Sequence, residues 1–157
     1  MTRFALVVLF FLGAMVTHAQ TAKAVKLKDL QKIIESKEGI QVINFWATWC
    51  GPCVKELPQF EKLNAENREV TVTLVSLDYD LDPDPAKVNR FIARRSLKSS
   101  VLFLEERDPN SWIDKIEKDW NGSIPATLLV NGKTGKRKFI EKELKEGDLE
   151  KYIEEVR

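Results

Sequence analysis

Two cysteines are the only thiols in the chain, and they stand as Cys50-Gly51-Pro52-Cys53. A C-x-x-C pair serves one of three ends: it ligates a metal, forms a structural disulfide, or carries out redox exchange. Structural zinc wants four Cys or His ligands, and the remaining supply is a single histidine, His18. A zinc centre would then need carboxylates or a partner chain. A structural bridge between cysteines three apart closes a very small loop, which restrains the unfolded chain little. The redox reading has a direct chemistry. A thiolate is the attacking species in disulfide exchange, and a cysteine at the start of a helix gains thiolate character from unpaired N–H groups and the helix dipole. On that reading Cys50 attacks a substrate disulfide. Cys53, one turn further on, resolves the mixed disulfide. Pro52 stiffens the turn and removes an N–H that a helix start does not use.

Positioning such a pair takes a strand that leads in and a helix that leads out. Gln41 to Trp46 reads as a buried strand, with Val42, Ile43 and Phe45 and little charge. Val54 to Asn67 reads as a helix, with Leu57, Phe60 and Leu63 at helical spacing and a kink expected at Pro58. Ala24 to Leu27 reads as a short strand and Lys28 to Lys37 as a helix stopped by Gly39. Val70 to Leu77 is a continuous apolar-rich run suited to a central strand. The acids from Asp78 to Asp84 lack the glycine and glutamate of a calcium loop; a helix start at Pro85, capped by Asp84 and running to Arg95, is simpler. Val101 to Leu104 is a further strand, and Pro109 to Trp120 is expected as one amphipathic helix with Trp112 and Trp120 turned to the core. Ala126 to Val130 and Arg137 to Ile140 read as a hairpin, and Gly147 and Asp148 open a last helix ending near Val156. Strands alternating with helices, then a hairpin and a helix, make an α/β layered domain.

Length and charge set the outer bounds. The chain has 157 residues, 43% of them hydrophobic and 31% charged, with formal net charge +1. That is one ordinary globular domain. Acids and bases are interleaved, so no nucleic-acid partner is indicated. Lys136-Arg137-Lys138 reads as a solvated edge-strand and turn segment. Arg3, the apolar run Phe4 to Val16 and the small or polar Thr17 to Gln20 have the layout of a secretory signal cleaved after Ala19. The alternative is a retained membrane anchor, for which the run is short of the roughly 20 residues a span needs. The expected division is therefore residues 1–19 as signal and 20–157 as one domain. The mature chain then meets a compartment where disulfides persist. It also lacks histidine, since His18 is lost, which removes any imidazole-based scheme.

The run Phe45-Trp46-Ala47-Thr48-Trp49-Cys50-Gly51-Pro52-Cys53, followed by Glu56, Leu57 and Pro58, resembles the TlpA/ResA-like branch of the thioredoxin superfamily. A second landmark, Ser123-Ile124-Pro125-Ala126-Thr127, precedes a predicted strand, and the resemblance spans Ala24 to Val156. It implies a thioredoxin-like fold with a central mixed sheet and helices on both faces. It implies a cis Pro125 beside the cysteines, although only about one X-Pro bond in twenty is cis in folded proteins. Thioredoxin proper has a buried aspartate six residues before the first cysteine; Asn44 stands there. The branch instead has a glutamate three residues after the second cysteine, Glu56, which shares a helix face with Cys53. Glu56 is the expected proton acceptor for Cys53, against the plainer reading of a solvent-facing glutamate paired with a lysine. Trp49 is implied as an exposed contact for partner proteins, Gly51 and Pro52 as part of the same surface. Ile124 is implied to offer backbone hydrogen bonds to an extended substrate. Trp46 is expected to pack under the loop.

The Gly-Pro pair between the cysteines resembles that of reductive thioredoxins, so a thiol:disulfide reductant is favoured, nearer about −270 mV than about −120 mV. An exported reductant needs electrons across the membrane, and the resemblance implies a donor of the CcdA or DsbD kind. Its substrates would be protein disulfides such as those of apocytochrome c or other exported proteins. A monomer without cofactor or metal is the default. The alternatives are an oxidant or isomerase on the same fold, and a redox-inactive peptide-binding module.

Overall fold

The computed structural model describes residues 20–157. The signal-sequence reading of residues 1–19 lies outside them. Six strands form one sheet in the order β1-β4-β3-β2-β5-β6: β1 Lys23–Val25, β2 Ile40–Trp46, β3 Val70–Ser76, β4 Ser100–Leu104, β5 Ala126–Asn131 and β6 Arg137–Ile140. β1, β4, β3 and β2 run parallel, β5 is antiparallel to β2, and β6 is antiparallel to β5. The helices are α1 Leu27–Ile34, α2 Gly51–Glu66, α3 Ala86–Arg95, the single turn α4 Ile113–Ile116, and α5 Asp148–Val156. This is the mixed sheet with helices on both faces that the sequence implies.

The period of two along β2 divides the core. Val42 and Trp46 join Leu57, Phe60, Phe91 and Ile153 on the α2–α3–α5 side. Ile43 and Phe45 join Leu30, Leu102, Trp112 and Trp120 on the other. Asn44 therefore falls on the α2 side, among apolar neighbours, where an amide needs a partner. All seven residues of β2 are buried, as befits a strand covered on both faces.

Several boundaries differ from the sequence reading. β1 ends at Val25, and α1 begins at Leu27 rather than Lys28. α2 begins at Gly51 rather than Val54, and it continues through Pro58 to Glu66. Burial of Leu57, Phe60 and Leu63 offsets the hydrogen bond that Pro58 cannot make. α3 begins at Ala86 rather than Pro85, with Pro85 at its N-cap position, and Asp84 Oδ1 accepts from the Ala86 N–H at 2.9 Å from one residue further out.

The larger correction concerns the helix expected over Pro109 to Trp120. The segment is a 3-10 turn at Pro109–Ser111, the single turn α4, and an extended break at Glu117 with φ −150° and ψ 125°. The aromatic pattern survives: Trp112 and Trp120 are both 3% exposed. Trp120 stacks tilted on Phe45 at 4.7 Å, and its indole N–H donates to the Ser123 carbonyl at 2.9 Å. Arg137 donates to the Ile116 carbonyl at 2.7 Å, which satisfies the end of the short turn from a different strand. Periodicity reported which residues are buried, while local turn bonds, with Arg137 on the Ile116 carbonyl, stand in place of a continuous helix ladder.

Candidate active site at the head of α2

β2 ends at Trp46, and the four residues after it carry the chain over the end of the sheet into α2. Trp46 is fully buried beneath this loop, its ring 5.2 Å from that of Phe91. Cys50 is the N-cap of α2 and Pro52 lies in its first turn, which contains no acidic residue. The two sulfurs are bonded, with the cysteine Cα atoms 5.3 Å apart. The Cys53 N–H points at Cys50 Sγ, 3.3 Å away. That N–H is one of the unpaired donors of the helix start, and in the reduced state it would face a thiolate. Cys53 is fully buried, whereas Cys50 retains 6% exposure. The asymmetry makes Cys50 the sulfur that an incoming disulfide can reach.

The Ile124–Pro125 bond is cis. The Ile124 carbonyl lies 3.8 Å from Cys50 Sγ, so the second sequence landmark does lie against the first. Trp49 is 52% exposed beside them, and Gly51 and Pro52 are also exposed. A cleft of about 430 Å³ opens here, walled by Trp49, Leu77, Leu81, Trp112, Ile113 and Ile124. Leu81, at 70% exposure, was not anticipated from the sequence. Its only signal was an apolar residue set among acids.

Glu56 does not face solvent. It is 1% exposed, and Oε1 accepts from Asn44 Nδ2 at 2.8 Å while Oε2 accepts from the Leu144 N–H at 2.7 Å. Burial pushes its carboxyl up from 4.5 to about 7, against the two hydrogen bonds, which favour the ionised form. A lysine does pair in this region, but it is Lys55 with Glu143 at 2.8 Å. Asn44 thus has a role beyond its departure from the thioredoxin pattern: it holds Glu56, and it also donates to Thr127 Oγ1 at 3.1 Å.

A second buried carboxylate was missed. Asp78, read in the sequence as the first of an acidic run, is 2% exposed at the end of β3. It accepts hydrogen bonds from the Thr48 N–H at 3.0 Å, from the Thr48 hydroxyl and from Ser76 Oγ at 2.8 Å. A usable signal existed, since the carboxyl ends of strands in an open α/β sheet are where sites form. Among the described residues no group of three or more His, Cys, Asp or Glu side chains is arranged to hold a metal.

The Redoxin family model matches residues 14–112. A thiol-disulfide oxidoreductase ResA of Bacillus cereus is 32% identical over 140 residues, which cover 85% of this chain and 69% of that protein. The ResA of Bacillus anthracis is 33% identical over the same length and coverage. The structure of StoA from Bacillus subtilis aligns with TM-score 0.58 and 25% identity, covering 78% of this chain and 85% of that one. A thioredoxin-related protein from Neisseria meningitidis serogroup B aligns with TM-score 0.66 and 24% identity over 77% of this chain and 87% of that one, which speaks to the fold alone.

Proposed function

The chain belongs to the Redoxin family and is a thiol-disulfide oxidoreductase of the ResA type, and we propose that it works as a reductant of disulfides in exported proteins. The observation that carries the assignment of roles is the placement of Cys50 Sγ. It caps α2, receives the Cys53 N–H and lies 3.8 Å from the carbonyl of Ile124, a residue that lines the cleft.

The exchange proceeds in two displacements. The Cys50 thiolate attacks one sulfur of the substrate disulfide; a Cys50–substrate bond forms, the substrate disulfide breaks, and one substrate thiolate leaves. Cys53 then attacks Cys50 Sγ, the mixed disulfide breaks, and the second substrate thiolate leaves. Two electrons have passed to the substrate, and Cys50 and Cys53 are joined. Glu56, poised at about 7, is matched to take the Cys53 proton at this second step. The thiol it serves has an ordinary value of about 8.5. Trp49 and the cleft receive the substrate segment, the exposed Gly51 and Pro52 extend the surface next to Cys50, and the backbone of Ile124 lies along the segment.

The Gly51-Pro52 pair supports the reducing direction. Arg3, the apolar residues that follow and the small residues up to Ala19 support an exported, periplasm-like location, which for a reductant calls for a membrane electron donor of the CcdA or DsbD kind. No helix among the described residues is long and apolar enough to cross a membrane. The protein is taken to act as a monomer on protein thiols.

The deciding measurement is the reduction potential of the Cys50–Cys53 couple in glutathione or dithiothreitol buffers. A value near or below about −270 mV supports a reductant; a value near about −120 mV makes the protein an oxidant and overturns the direction.

A further inference from the structure

Asp78 is a buried carboxylate with no ion-pair partner among the described residues. Such a group is costly to bury unless hydrogen bonds satisfy it. Three donors converge on it, and two of them belong to Thr48, two residues before the attacking cysteine. The third, Ser76 Oγ, belongs to the strand that delivers Asp78. Three backbone ties accompany these contacts: the Leu77 N–H donates to the Trp46 carbonyl at 2.8 Å, the Cys50 N–H to the Ala47 carbonyl at 3.1 Å, and the Val54 N–H to the Cys50 carbonyl at 3.0 Å. The Ala47–Cys50 bond closes a turn with Thr48 and Trp49 at its centre; it shapes the turn but does not tie it to the sheet. Trp49 is largely exposed, so packing does not hold it either. The span between the end of β2 and the head of α2 is therefore anchored to the sheet through Asp78.

We propose that Asp78 is a positioning residue for the disulfide exchange. Through Thr48 it fixes the loop so that Cys50 enters α2 as its N-cap, with Sγ facing both the Cys53 N–H and the Ile124 carbonyl. The same anchor sets the height of Trp49 over the cleft. Disulfide exchange needs the attacking sulfur in line with the substrate's sulfur–sulfur bond, and misplacement by about 1 Å can cost on the order of a hundredfold in rate. A clamp on the residues just before the nucleophile acts on that alignment without touching the substrate. The inference rests on the reading of Cys50 as nucleophile.

The test is dithiothreitol-driven reduction of insulin disulfides by wild type, Asp78→Asn, Thr48→Val and Thr48→Ser, with thermal melting of each. Asn at 78 puts an amide donor among three donors, Val at 48 deletes the hydroxyl, and Ser restores it. Roughly a tenfold or greater loss of kcat/KM in Asp78→Asn, a smaller loss in Thr48→Val and recovery in Thr48→Ser support the clamp. Alkylation of reduced Cys50 by iodoacetamide separates the causes, because the clamp also predicts slower attack on this small probe in the variants that still melt cooperatively. Wild-type rates per folded molecule in both impaired variants, with only melting temperature lowered, overturn the proposal and leave Asp78 a structural residue. Failure of the underlying reading looks different: Cys50→Ser would then reduce insulin as well as wild type does.

Discussion

Replacing Glu56 by Gln keeps the side chain's size and an oxygen for the Leu144 N–H, and removes the ionisable group. In the folded protein this carboxyl is raised from 4.5 to about 7. A raised acid favours folding fully below its unfolded value and loses that contribution as pH climbs through the folded value. With one pH unit equal to about 1.4 kcal/mol, the shift corresponds to roughly 3 kcal/mol. Wild type should therefore lose about 2 kcal/mol relative to Glu56→Gln between pH 4 and pH 6, and about 3 kcal/mol by pH 8. The loss is relative, so background titrations common to both chains cancel. Urea unfolding of the oxidised forms across that range measures it, with the slope on denaturant checked for constancy. Stability curves that run parallel from pH 4 to pH 8 would refute the buried, raised carboxyl. The Gln variant should also release substrate from the mixed disulfide more slowly, and unchanged release kinetics across pH would remove Glu56 from the proton transfer.

Cys53→Ser should accumulate a stable mixed disulfide through Cys50, visible as a mass increase by non-reducing electrophoresis, because resolution needs the second thiolate; no trapped species would reverse the order of the two cysteines. Phe60→Ala should cost about 3–5 kcal/mol in unfolding, since the ring is fully buried between α2 and the sheet; a loss under about 1 kcal/mol would mean the helix packs otherwise. Asp84→Ala should lower stability by about 1 kcal/mol through the lost cap on Ala86, with insulin reduction unaffected; an unchanged unfolding midpoint would show that the cap contributes nothing.

Much of the site was legible because its determinants are local. Cys50, Gly51, Pro52 and Cys53 sit within one helical turn, so residue type and spacing already dictate a thiolate at a helix start and a resolving thiol behind it. Glu56 was implied by the family resemblance, and helical periodicity placed it on the face of Cys53, although its burial was not legible. The alternation of apolar runs gave the strands, and the aromatic spacing from Trp112 to Trp120 gave the buried set. Tertiary structure decided the remainder. That Pro109 to Trp120 breaks after Ile116 depended on Arg137, which reaches the Ile116 carbonyl from 21 positions away. Leu144 reaches Glu56 from 88 positions away, and Asp78 reaches Thr48 from 30. The acids from Asp78 to Asp84 read as a failed calcium loop leading to a helix start, and only its place next to the carboxyl end of a predicted strand sets Asp78 apart from Asp80 and Asp82. Only the parallel pairing of β3 with β2, which sets Ser76 beside Trp46, carries that carboxylate under the loop. Local spacing determined which atoms react. Pairings between distant segments determined which groups hold them, because a hydrogen bond across the sheet leaves no periodic trace in either segment.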